Sequence, residues 1–105
     1  MRFDLSDLRL FHHIAGEGSI ARGAARCHIV AAAASARVRA MEAQLGAKLL
    51  HRFRHGTRLT TAGTVLLKHA RLMLDQADRM RTELGLFTGG VSQRIRVASN
   101  STGIA

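Results

Sequence analysis

The chain has 105 residues, 47% hydrophobic and 22% charged, which suits one small folded domain with an appendage and excludes a disordered chain. Sixteen Lys or Arg stand against seven Asp or Glu, a formal charge of +9, and Arg supplies fourteen of the sixteen. That balance points to a polyanionic partner, nucleic acid ahead of acidic lipid, because a guanidinium donates in pairs and keeps its proton.

In chain order, Asp4 caps a first helix, with Asp7 three positions on. Leu5, Leu8, Phe11 and Ala15 follow at helical spacing and give it a buried face. Gly16 and Gly18 end it. Ser19 then caps a second helix from Ile20 to about His28, with Ile20, Ala24 and Cys27 inward. The third helix runs from about Val30 to Gly46, a C-terminal cap. Val30, Ala34, Val38, Met41 and Leu45 form its core side. Ala32, Ala36, Arg39 and Ala40 face the other way, flanked by Ser35 and Arg37. Small residues at Ala21, Gly23, Ala24 and Ala25 let helix three cross helix two closely, as a helix-turn-helix requires. Two short β-like runs come next, Leu49–Phe53 and Arg58–Thr60, turning at His55-Gly56. They make a small wing carrying Arg52, Arg54 and Arg58. From Arg37 to Arg58 there are six basic residues and one acid, Glu42. The positive charge is therefore concentrated on the third helix and the wing.

Thr60 or Thr61 caps a last, long helix, Ala62 to Phe87. Leu66, Ala70, Met73, Ala77, Met80, Leu84 and Phe87 alternate four and three residues apart, a heptad seam. The short domain before it offers little surface for so long a stripe, so a second copy of the helix is the expected partner. Ala70 and Ala77 would let two backbones approach closely. Gly89-Gly90 ends the helix, and Ile95-Arg96-Val97 alternates like a strand. The expected domains are 1–60 for DNA binding, 61–88 for the linker and dimerisation helix, and 89–105 for a linker and the start of a further domain.

Catalytic chemistry has no constellation here. Of six histidines, none forms the i, i+4 pair or Cys-His spacing of a zinc site. There is no Ser-His-Asp order, carboxylate pair or phosphate-binding glycine loop. Neither an enzyme, a cofactor nor a metal is expected. Cys27, the only cysteine, forbids an intrachain disulfide and fits a reducing cytoplasm. No signal-peptide core and no membrane-length apolar run are present.

The segments AGEGSIARGAARCHI, SARVRAMEAQLGAKLLHR and RLTTAG together resemble the DNA-binding domain of LysR-type transcriptional regulators. The resemblance covers roughly Leu5 to Phe87. It includes the glycine-serine start of helix two, Glu42-Leu45-Gly46, Leu49-Leu50, and Leu59-Thr60 followed by Ala62-Gly63. It implies a mainly α fold: a winged helix-turn-helix of three helices and a β-hairpin, then a long dimerising helix. It implies a homodimer, with a dimer of dimers as a further assembly, placing recognition helices 30–45 in successive major grooves of double-stranded DNA. The wing, 49–60, would follow backbone or minor groove. Residues after Gly90 resemble the start of the family's effector-binding domain, through which alone a small molecule would act. Ser35, Arg37, Arg52 and Thr60 match the family's positions. With Ser19, Arg22, Ala31, Ala32, Ala36, Arg39, Arg54, His55 and Arg58 they form the candidate DNA-binding set.

The chain departs from the family where base-reading side chains are common: Val30-Ala31-Ala32 opens helix three, and Ala36 follows Ser35. Thr61 stands where a proline usually does. Bidentate base readout needs Arg, Lys, Asn or Gln on the exposed face. Only Arg37 and Arg39 qualify, so recognition by shape and thymine methyl contact is expected. The alternative function is a protein-interaction module whose linker helix pairs with a full-length relative.

Overall fold

The computed structural model describes residues 4–88, and the expectations for 89–105 lie outside them. Its elements are α1 (Leu5–Glu17), α2 (Ile20–Arg26), α3 (Ala31–Leu45), β1 (Leu50–Phe53), β2 (Gly56–Leu59) and α4 (Thr61–Gly85). The chain divides into two units, 1–74 and 75–105, each taken separately.

α1 begins with a reciprocal capping box: the Asp4 carboxylate accepts the Asp7 N–H at 3.0 Å, and the Asp7 carboxylate accepts the Asp4 N–H at 3.1 Å. Gly16 lies inside the helix, and Gly18 alone ends it, in the left-handed conformation. The inward face is Leu8, Leu10, Phe11 and Ile14, whereas Leu5 is largely exposed. Leu10 and Ile14 thus complete the stripe. Ser19 caps α2 through the Arg22 N–H. α2 ends at Arg26, two residues before the expected His28, because His28 takes a left-handed φ of 60° and turns the chain. The Ile29 N–H closes that turn on the Ala24 carbonyl at 3.0 Å. Gly23 permits the close crossing of α2 over α1. A Cβ there would come within 2.6 Å of Ile14 Cα.

α3 buries Ala34, Val38 and Met41. Val30, expected in the core, is 70% exposed because it is the extended N-cap residue before the helix. Leu45, in the last turn, lies at the core's edge, 36% exposed. β1 and β2 pair antiparallel, with Phe53 opposite Gly56 and Leu50 opposite Leu59. The turn is therefore Arg54-His55, one residue earlier than expected, and Gly56 belongs to β2. Thr57 N–H donates to the Gly18 carbonyl at 3.0 Å, which fastens the wing to the α1–α2 corner.

In the first unit, α4 buries Gly63, Leu67, Ala70 and Leu74, spaced four, three and four. Leu67 and Ala70 join the core formed by Leu8, Phe11, Val38 and Leu49. The expected seam is corrected here: its Leu66 is half-buried against the core and its Ala70 lies inside it, so Ala70 presents no face to a second helix. Met73 is exposed. In the second unit Ala77 is buried, and Met80, Leu84 and Phe87 are exposed, Phe87 by 84%. Ion pairs Asp75–Arg79 at 3.0 Å and Asp78–Arg81 at 2.6 Å lie on the polar side. α4 stops at Gly85, short of the expected Phe87.

Among the described residues no helix is long and apolar enough to cross a membrane. Gly63 packs so near β1 that a Cβ on it would overlap the Leu49 carbonyl oxygen. Gly63→Ala is expected to cost about 3 kcal/mol, and about 10 °C or more in Tm, read by thermal unfolding.

Candidate nucleic-acid interface

Strand alternation divides the wing arginines. Leu50 and Arg52 point inward, while His51 and Phe53 point outward, joined by Arg58, which pairs across from His51. The Arg58 guanidinium lies 6.0 Å from the Phe53 ring centre, and that ring is 59% exposed. The outer wing surface is thus His51, Phe53 and Arg58, with Arg54 and His55 at its tip. His51 and Phe53 were missed from sequence, although period-two alternation contained the signal.

Arg52 is corrected from a projecting cation to an internal tie. Its Nη1 donates to Ser35 Oγ at 2.6 Å, and its Nη2 stands 3.8 Å from the Glu42 carboxylate. Glu42 is only 6% exposed. Its Oε2 accepts the backbone N–H groups of Leu49 at 2.8 Å and Leu50 at 3.3 Å. The end of α3, the start of β1 and the inner wing are held by this one cluster. A carboxylate so buried is tolerable because N–H donors and a guanidinium surround it.

Arg37 is likewise engaged within the chain. It grips Asp7 through Nε at 2.9 Å and Nη2 at 2.6 Å, and Nη2 also reaches Ser6 Oγ. Its guanidinium joins α3 to the capping box of α1. Thr60 Oγ1 donates to the Lys48 carbonyl at 2.7 Å and accepts the Gly63 N–H at 2.9 Å, so it caps α4. Ser19 caps α2, and Arg22 pairs loosely with Glu17. Each of these five, expected in the DNA-binding set, also makes a contact within the chain.

What stays open is narrower and more coherent. Ala32, Ala36, Arg39, Ala40 and Ala43 are exposed along the outer side of α3. Among the described residues no hydrogen bond or ion pair engages the side chains of Arg39 or Arg54. Val30 offers α3 no side-chain cap, and no acid lies in the first turn. The N–H groups of Ala31, Ala32 and Ala33 therefore remain available to an anion at the positive end of the helix. The missing Ser, Thr, Asp or Asn before Ala31 was the sequence signal for this.

Among the described residues no group of His, Cys, Asp and Glu could hold a metal ion. His12 packs beside His13, and its Nδ1 is buried without a partner. Burial, then His13, Arg71 and Arg9, hold its imidazole below the usual 6.5.

Residues 5–64 match the model of the bacterial regulatory helix-turn-helix protein, lysR family. An uncharacterised HTH-type transcriptional regulator of Azotobacter vinelandii is 35% identical over 97 residues, 92% of this chain and 67% of that protein. Another, from Mycobacterium bovis, is 36% identical over 98 residues, but the chain spans only 31% of its length. Among solved structures, the complex of the CbnR DNA-binding domain with DNA is similar, with a TM-score of 0.71 and 35% identity. That likeness covers 74% of this chain and 90% of that one.

The Glu42 cluster carries a stability prediction. Glu42→Ala strands two backbone N–H groups and the Arg52 guanidinium, and should cost about 3 kcal/mol in urea unfolding. Glu42→Gln keeps an oxygen for the N–H groups and should cost about half as much.

Proposed function

The chain belongs to the lysR family of bacterial regulatory helix-turn-helix proteins, and on that premise we propose that it binds double-stranded DNA as a homodimer to regulate transcription in the cytoplasm. The family is one of DNA-binding regulators rather than enzymes. The observation that carries the reading is the surface left open on α3 and the wing: Arg39, Arg54 and Arg58 beside an exposed alanine face. α3 enters the major groove on that face, and its uncapped first turn meets a phosphate. The outer wing, led by Arg54, His55 and Arg58, follows the adjacent backbone or minor groove. Arg22 and Ser19 border this surface from α2. Base preference comes mainly from shape and from contact of Ala32 and Ala36 with thymine methyl groups. The complex of the similar CbnR domain with DNA supports the same use of the fold.

Dimerisation uses α4. Met73, Met80, Leu84 and Phe87 are apolar and exposed on the single chain, as are Val65 and Leu72. Covering such side chains is the ordinary drive for helix pairing. The same stripe would serve the alternative reading, pairing with a full-length relative. A gel shift of the chain alone on duplex DNA separates the two, since a pure interaction module leaves the duplex unshifted.

Arg54→Ala and Arg58→Ala should each weaken binding to all sequences alike and lower the log–log salt slope by about one, measured by titration at several salt concentrations. A change in base preference alone would remove the phosphate assignment. Met80→Glu or Leu84→Glu should leave the helical circular dichroism intact and shift the molar mass in light scattering from dimer to monomer. A monomeric wild-type chain would count against α4 as the dimer contact.

A further inference from the structure

A serine hydroxyl carries one O–H and two lone pairs, whereas a guanidinium carries only donors. The 2.6 Å contact between Arg52 Nη1 and Ser35 Oγ therefore runs one way. Arg52 gives, Ser35 accepts, and the proton of Ser35 has to be placed elsewhere. The local alternative in a helix is the carbonyl four residues back. Thr64 in α4 does this, donating to the Thr60 carbonyl at 3.0 Å. Ser35 makes no such bond among the described residues. Its O–H is left for the side of α3 on which Ala32 and Arg39 stand.

Arg52 cannot easily turn away to relax this. Its other terminal nitrogen faces Glu42 at 3.8 Å, and Glu42 is pinned by the N–H groups of Leu49 and Leu50. Orientation passes from the β1 backbone to Glu42, to Arg52, to Ser35. We infer that Arg52 is a positioning residue that fills one lone pair of Ser35 and so turns its O–H outward, where α3 offers it to a hydrogen-bond acceptor of the duplex. The inference rests on the DNA-binding reading above. Acceptors of this kind are purine N7, guanine O6 and thymine O4 in the major groove, and phosphate oxygens at its edge. A charged donor behind the oxygen also polarises the hydroxyl and strengthens what it gives.

The test uses the whole chain on a duplex selected from a random pool, with acceptors removed singly. 7-Deazapurines delete N7, 2-aminopurine deletes guanine O6, 5-methyl-2-pyrimidinone deletes thymine O4, and methylphosphonates neutralise individual phosphates. One replacement per half-site should weaken the wild type about fivefold and leave Ser35→Ala indifferent, with Ser35→Thr restoring the sensitivity. Which replacement responds tells a base edge from a phosphate. The paired substitution Glu42→Gln with Arg52→Met removes the donor without leaving a lone buried charge, and it should lose the same sensitivity. Equal responses of wild type and Ser35→Ala to every replacement overturn the inference. So does full sensitivity in the paired variant. If that variant fails to fold, the Ser35 substitutions decide alone. A wild-type chain that retains no duplex from the pool overturns the DNA-binding reading and the inference with it.

Discussion

The carboxylate of Glu42 lies in the core with two backbone N–H groups on one oxygen and a guanidinium facing the other. The wing takes its position relative to α3 from that contact. Glu42 sits near the C-terminal end of α3, and Leu49 precedes Leu50, which starts the strand that becomes the wing. One side chain therefore fixes the angle at which the wing leaves the helix. The apolar core alone would not, because packing of Leu49 and Leu50 tolerates small rotations that a charge-assisted hydrogen bond does not. Burying an acid is costly, and the cost is offset only when all its partners are in place.

The order of elements could be read from the chain because local signals agreed with one another. Asp4, Ser19, Gly18 and Gly46 cap where their chemistry says they should. Errors arose where one residue had two physically sensible uses. Val30 fits the apolar period of α3, yet the chain is still extended there, and period alone says nothing about where a helix starts. In α4, Leu66 and Leu67 are neighbours, and either can head a heptad stripe. The own-chain core selects Leu67, Ala70 and Leu74, and spacing by itself could not decide. His55-Gly56 is a plausible hairpin turn, but the Gly18 carbonyl needs room at Gly56 and claims that residue for the strand.

The site was harder to read for a related reason. Arginine counts report charge, not what the charge touches. Arg37 and Arg52 lie in the most basic part of the sequence and serve Asp7, Ser35 and Glu42. The acids that claim them are distant in sequence, so only the folded chain brings them together. What remains outward in that stretch, Arg39, Lys48, Arg54 and Arg58, is a smaller set of cations than composition suggested. The alanines of α3 change meaning accordingly. They are not a gap in an otherwise polar reading head, because their neighbours Ser35 and Arg37 are themselves engaged from behind.

The bond from Thr57 N–H to the Gly18 carbonyl places the wing against the corner between α1 and α2, while Glu42 holds it from the other side. Anchored at two points, the hairpin is tied to α3 as one jaw of a caliper is tied to the other. A gauge that does not yield transfers every misfit to the object it measures. If the chain binds a duplex as proposed, the elastic work would fall on that duplex, and stiff or wrongly spaced segments would be disfavoured by the energy needed to deform them.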